Sequence, residues 1–284
     1  RALFGHIGFS ISNFFRALWL GLSNSAFSAS PYADATAKYY KQMNRYSAAL
    51  ALMSDVAMGT MGGDLKRRER ISARLGDILS MLYLTSAVLK RFNDEGRKAD
   101  DLPLVQWCCE DNLAKAQLAL DELFDNFPNR IVGTVLKRVV FPWGRTLRKA
   151  SDITEHKVAR IMQTPGESRS RLGHYLYLKD EPLNQLGMLE KALQDVLAAE
   201  PIFDKVSHAS GKRLPFYRLN EVADLGLELK VLTEAEAQKL RIAEKGRMFA
   251  INVDDFEPEY LAADKSLTQQ GAGANATDKK EKAA

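Results

Sequence analysis

GGDLKRRERISARLGDILSMLYLTSAVLKRF, residues Gly62 to Phe92, sets four cations within five positions and then turns apolar. From Ile71 on, Ile71, Leu75, Ile78, Leu79, Leu82, Ser86 and Leu89 recur at about 100° per residue, the period of an amphipathic helix. The Gly62-Gly63 pair stops a preceding helix expected over Asp34–Met61, which is rich in Ala, Met, Leu and Lys. Asp64 is then placed to N-cap the helix that follows, which is expected to end within NDEGRKADD (93–101). A third helix follows Pro103, a first-turn residue, and runs to about Asn126, with Trp107, Leu113, Ala114, Leu118 and Leu123 on its apolar side. No run of alternating β-branched residues interrupts this pattern. The spacing predicts an all-α chain, with an antiparallel helical bundle over residues 1–126.

The texture changes after Pro128. FPNRIVGTVLKRVVFPWGRTLRKA carries Arg130, Lys137, Arg138, Arg145, Arg148 and Lys149 and no acidic residue. Shorter helices are expected over Ser151–Met162, from about Pro182 to Ala199, and over Glu234–Phe249, punctuated by Pro165, Pro182, Pro201 and Pro215. Residues 127–263 therefore form a basic segment and a smaller helical region. Residues 264–284, almost without large apolar side chains, are expected to be a disordered tail.

Upstream, LFGHIGFSISNFFRALWLGL (3–22) is apolar enough to raise a membrane span or a signal peptide. His6, Asn13 and Arg16 spread through it, and a central Arg is costly in a bilayer. It also lacks a basic n-region followed by a small-residue cleavage site. A buried helix is expected instead, in a chain that opens at Arg1 inside an apolar pattern, as a piece of a longer polypeptide would.

Composition narrows the function classes. Among 284 residues, 40 Lys and Arg face 36 Asp and Glu, a net charge of only +4, which argues against a dedicated nucleic-acid binder. Cys108 and Cys109 are adjacent, so they neither bridge each other readily nor complete a zinc site, and a reducing compartment fits them best. His6, His156, His174 and His208 have no ligand spacing. Asp152, Glu155 and His156 form a helix start of a kind more often solvated than catalytic. A phosphate-binding glycine loop, a GxSxG elbow and HExxH are all missing.

Two basic clusters remain as candidates. In KRRER, Lys66, Arg67 and Arg70 lie off the apolar stripe and Arg68 lies near it. Positive charge in a first helical turn opposes the macrodipole. That favours a nearby anion, and Arg67 and Arg68 are the candidate contacts; the alternative is a solvated helix end with an Arg stem lying along the core. In the acid-free segment, Lys137, Arg138, Trp143, Arg145, Arg148 and Lys149 are candidates for contact with an anionic membrane surface. The alternative there is a half-buried helix whose cations face water.

Taken in order, the opening GHIGFSISNFFRALWLGL, the Gly62–Phe92 stretch, DEGR, DLPLVQW, NFPNR, FPWGR, SDITEHKVARIMQTP and LEKALQDVLAAEPI closely resemble the C-terminal region of the long bacterial acyl-CoA dehydrogenases of fatty acid β-oxidation. The resemblance runs to about Gly211. It implies an FAD-dependent parent enzyme that oxidises fatty acyl-CoA to trans-2-enoyl-CoA and passes electrons to an electron-transfer flavoprotein. It further implies a bacterial cytoplasmic location, peripheral contact with the inner face of the cytoplasmic membrane, and a homodimer. The family's catalytic glutamate and flavin-contact segments have no counterpart here, and Glu95-Gly96 matches only as a dipeptide. The expectation is a non-catalytic C-terminal domain that packs on the catalytic region of the same polypeptide. Arg67 and Arg68 are then candidates for a CoA phosphate. The alternative is a module docking to a membrane surface or to the electron acceptor.

Overall fold

A computed structural model describes residues 2–253, and every regular element among them is helical. The expected disordered tail, 264–284, lies outside the described residues. The chain divides into two compact units, Arg1–His174 and a second that starts at Tyr175. The compositional change at residue 127 lies inside the first of these.

The first unit holds α1 (Ala2–Leu22), α2 (Ala37–Met61), α3 (Glu69–Asp94), α4 (Leu102–Asp125), α5 (Arg130–Val140), α6 (Asp152–Gln163) and α7 (Glu167–Leu172). α2 is central, with α1 and α3 against it; α4 packs on both α2 and α3, and α5 packs on α1 and α4. Tyr46, Met53, Ile78, Leu89, Leu120 and Leu123 form the middle of the core. Two glycines permit the closest helix contacts. A Cβ at Gly21 would stand 2.8 Å from the Val139 carbonyl oxygen, and one at Gly133 would stand 2.5 Å from that of Phe124.

Three expectations are corrected here. On α3, Ile71, Ile78, Leu82 and Leu89 are buried as the period requires, but Leu79 is 59% exposed, while Thr85 and Phe92 are buried. The arc that meets the neighbouring helices is centred on Ile78 and Leu89, and Leu79 falls outside it. Asp64 does not cap α3. Residues 62–67 form a 3-10 turn, α3 starts after Arg68, and the Asp64 carbonyl accepts the Arg68 N–H at 3.2 Å. The third correction is that α1 is not a buried helix. Asn13, Ala17, Leu20 and Gly21 are covered, while Phe4, Ile7, Ile11, Phe15, Trp19 and Leu22 are 44–78% exposed. A helix that is apolar on both sides gives no indication in its periodicity of which side will be covered.

The second unit packs α8 (Gln185–Ser210), α9 (Leu219–Glu228) and α10 (Glu234–Ile251) around Ala199, Val206, Leu219, Val222 and Leu240. α8 continues through Pro201 rather than ending at Ala199. Ala199 and Val206, on either side of the proline, are fully buried, so tertiary packing outweighs the lost helix bond. α10 opens with a capping box, Thr233 Oγ1 accepting the Glu236 N–H and the Glu236 carboxylate accepting the Thr233 N–H.

Candidate functional site

The most distinctive surface of the first unit is the outward stripe of α1. Phe4, Ile7, Ile11, Phe15 and Leu22 follow one another by three, four, four and seven residues, which places them on one helix face. The opposite face is anchored through Asn13, Ala17 and Leu20, and Ser10 Oγ donates to Asp55 Oδ2 at 2.8 Å. Arg16 is the one charged residue of α1. On α3, Leu79 and Tyr83 are likewise exposed, at 59% and 71%. At the C-terminal end of α1 three further aromatics face solvent. Trp19 stacks on Phe27 with centroids 6.0 Å apart, and Trp143 donates its indole N–H to the Leu22 carbonyl at 2.9 Å.

Two buried polar residues fix the backbone beneath this surface. Arg45, 1% exposed, donates from Nη2 to the Val140 carbonyl at 2.9 Å and from Nη1 to Asn24 Oδ1 at 2.6 Å. Its guanidinium lies over the rings of Tyr46 and Phe141, at 5.8 and 5.7 Å. Burial pushes its pKa down, and no carboxylate pairs with it among the described residues. The negative end of α5 supplies the compensating field. Gln117 holds the extended segment after α5 through the backbone of Leu147. Neither residue emerges from the sequence pattern alone; the only sign is a cation and an amide, each set inside an apolar helical run.

Three of the KRRER cations surround one hollow with Arg74. Arg67, Arg68, Arg70 and Arg74 line about 430 Å3 of open space together with Glu69 and Asn126. Arg74 pairs with Glu122 of α4 at 3.2 Å. Arg67 reaches Asp64 at 3.8 Å, with both side chains largely in water, where such pairs contribute little. Arg68 is exposed and does not lie along the core.

The six residues of the acid-free segment do not form one patch. Lys137 bridges Asp121 and Asp125, each at 2.8 Å, and these hydrogen bonds, Asp121's first, push its pKa up. Arg145 also approaches Asp121, at 3.7 Å. Arg138 shares the outer side of α5 with exposed Ile131 and Val135, while Arg148 and Lys149 line a separate groove with Lys38, Tyr39 and Glu110.

The family described as "Acyl-CoA dehydrogenase, C-terminal, bacterial type" matches residues 1–256. The chain belongs to that family. The match takes in the outward stripe of α1, the Arg45 and Gln117 anchors, and all of the described second unit, so both units are part of the acyl-CoA dehydrogenase C-terminal domain. No solved structure matches the chain. The described residues of this C-terminal domain bring no three His, Cys, Asp or Glu side chains together as a metal site, and no helix among them is long and apolar enough to cross a membrane.

Proposed function

We propose that this chain is the structural C-terminal domain of an FAD-dependent acyl-CoA dehydrogenase that oxidises fatty acyl-CoA to trans-2-enoyl-CoA in β-oxidation. It docks on the catalytic region of the same polypeptide, and that region carries the base and the flavin and passes electrons to a flavoprotein acceptor. The outward apolar stripe of α1 is the observation behind this reading. Covering a Phe or Ile contributes roughly 1.5–3 kcal/mol, and a monomer rarely leaves so many on one helix face without a partner.

FAD supplies the hydride acceptor when bound, but the described residues do not fit a flavin site. Five hollows among them, of 260–710 Å3, are open, and none of the five is walled by the glycine-rich backbone that cradles a dinucleotide diphosphate. In this reading the domain positions the catalytic region and holds none of the reacting groups. The isolated chain is expected to purify without flavin absorbance and to give no turnover with a long-chain acyl-CoA and an artificial electron acceptor, whereas the full polypeptide gives both. Flavin retained by the isolated chain refutes the division of labour.

A second reading places a membrane surface at one end of the unit. It is favoured by Trp19, Phe27 and Trp143, exposed around the C-terminus of α1, together with Ile131, Val135 and Arg138 on the outer side of α5. Aromatic rings with nearby cations suit the headgroup region of an anionic bilayer. Arg148 and Lys149 stand apart from this group.

A further inference from the structure

We infer that the groove between α2, α4 and the segment Thr146–Lys149 is a binding site for a soluble organic phosphate. Its floor is built: Tyr39 and Leu113 are each 2% exposed, and half-buried Leu147 lines the groove with them. The open groove holds about 360 Å3, within the range of small-ligand sites. Because Gln117 bonds both backbone groups of Leu147, the strand that presents Arg148 and Lys149 is held in place rather than free to collapse.

The charges are unevenly satisfied. Glu110 is the single acid in the lining, and its Oε1 already accepts from both Lys38 Nζ and Tyr39 Oη, each at 2.8 Å. Arg148 and Lys149 make no ion pair or side-chain hydrogen bond among the described residues, which leaves two cations on a fixed segment above an apolar floor. Gln42 Oε1, at the same groove, is buried without a hydrogen-bond partner, and a buried acceptor of this kind is costly unless an N–H reaches it. Two cations, an apolar floor and an unmet acceptor suit a phosphate joined to an apolar body that bears N–H groups. The adenosine 3′-phosphate end of CoA has that chemistry. This choice of ligand rests on the acyl-CoA dehydrogenase reading; the site itself does not, because its test needs no flavin and no turnover.

The test is calorimetric titration of the chain with 3′,5′-ADP and with CoA at low salt. Saturable one-to-one binding is expected, weakened roughly a hundredfold or more by R148Q/K149Q, since each lost charged hydrogen bond costs at least about a factor of ten. The variant should keep the helical circular dichroism spectrum of the parent. K212Q/R213Q, which removes the same charge from the second unit, should leave the affinity unchanged. Absence of saturable binding overturns the proposal, as does an equal loss in both double variants, which would show a response to net charge alone. Binding to phosphatidylglycerol vesicles that CoA does not compete away, and that R148Q/K149Q abolishes, also overturns it in favour of a lipid headgroup.

Discussion

Gln117 of α4 grips Leu147 by both ends of its backbone. Its Nε2 donates to the Leu147 carbonyl at 3.0 Å, and its Oε1 accepts the Leu147 N–H at 2.9 Å while also taking the Tyr46 hydroxyl at 3.2 Å. One side chain thus does for residues 144–150 what a neighbouring strand would do in a sheet. Replacing Gln117 by Leu leaves both Leu147 groups unpaired in a part-buried place, at a cost of about 1 kcal/mol. A lowered urea midpoint, with faster amide exchange confined first to residues 144–150, is the expected result.

Arg45 plays the corresponding part at the end of α5. Arg45→Met leaves the Val140 carbonyl without its side-chain donor and Asn24 Oδ1 with the Thr146 hydroxyl alone, and we expect a loss of about 1–3 kcal/mol in chemical denaturation. Arg45→Lys should not restore it, because one ammonium cannot span Val140 and Asn24 with the planar fork that the guanidinium provides.

Acid should loosen the start of α2. Asp34 accepts from the Thr36 hydroxyl at 2.6 Å and the Thr36 N–H at 2.9 Å, and it pairs with Arg97. The Thr36 hydroxyl first, and Arg97 with it, hold the Asp34 carboxyl at about 2, below its ordinary 3.8. A depressed carboxylate stabilises fully above its unfolded value and ceases to do so as pH falls through the folded one. Thermal unfolding should therefore show a drop in midpoint between pH 3.8 and about 2 that D34N flattens. Asp34 is largely exposed, so the effect should be small and weaker in high salt.

The membrane reading makes contact at the aromatic end depend on particular residues. R138Q/W143A is expected to lower flotation with phosphatidylglycerol vesicles by roughly tenfold, on the basis of about 1 kcal/mol per cation plus the lost ring. K137Q should have little effect, because Lys137 is already neutralised by Asp121 and Asp125.

The bundle was legible where one helix face is apolar and the other polar. α2 and α4 fall close to their expected bounds because Gly62-Gly63 and Pro103 mark their ends, while α3 starts four residues later than an Asp64 cap would have it. α1 misled because both of its faces are greasy, and a sequence cannot say which face the rest of the same chain will cover. Pro201 misled because local propensity yielded to the packing of Ala199 and Val206. α7 and α9, of six and ten residues, are too short for periodicity to separate them from loop. The candidate cations were visible as residue types, but their grouping was not. The acids that neutralise Lys137 lie in α4, and the amide that fixes Leu147 lies 30 residues away from it.

The most direct test is hydroxyl-radical footprinting of α1 in the isolated chain and in the full-length polypeptide. Docking of the outward stripe predicts that Phe4, Ile11 and Phe15 are modified readily in the isolated chain and become several-fold protected in the full-length protein, while exposed Tyr217 of the second unit reacts alike in both. Equal modification of Phe4, Ile11 and Phe15 in the two proteins would contradict it.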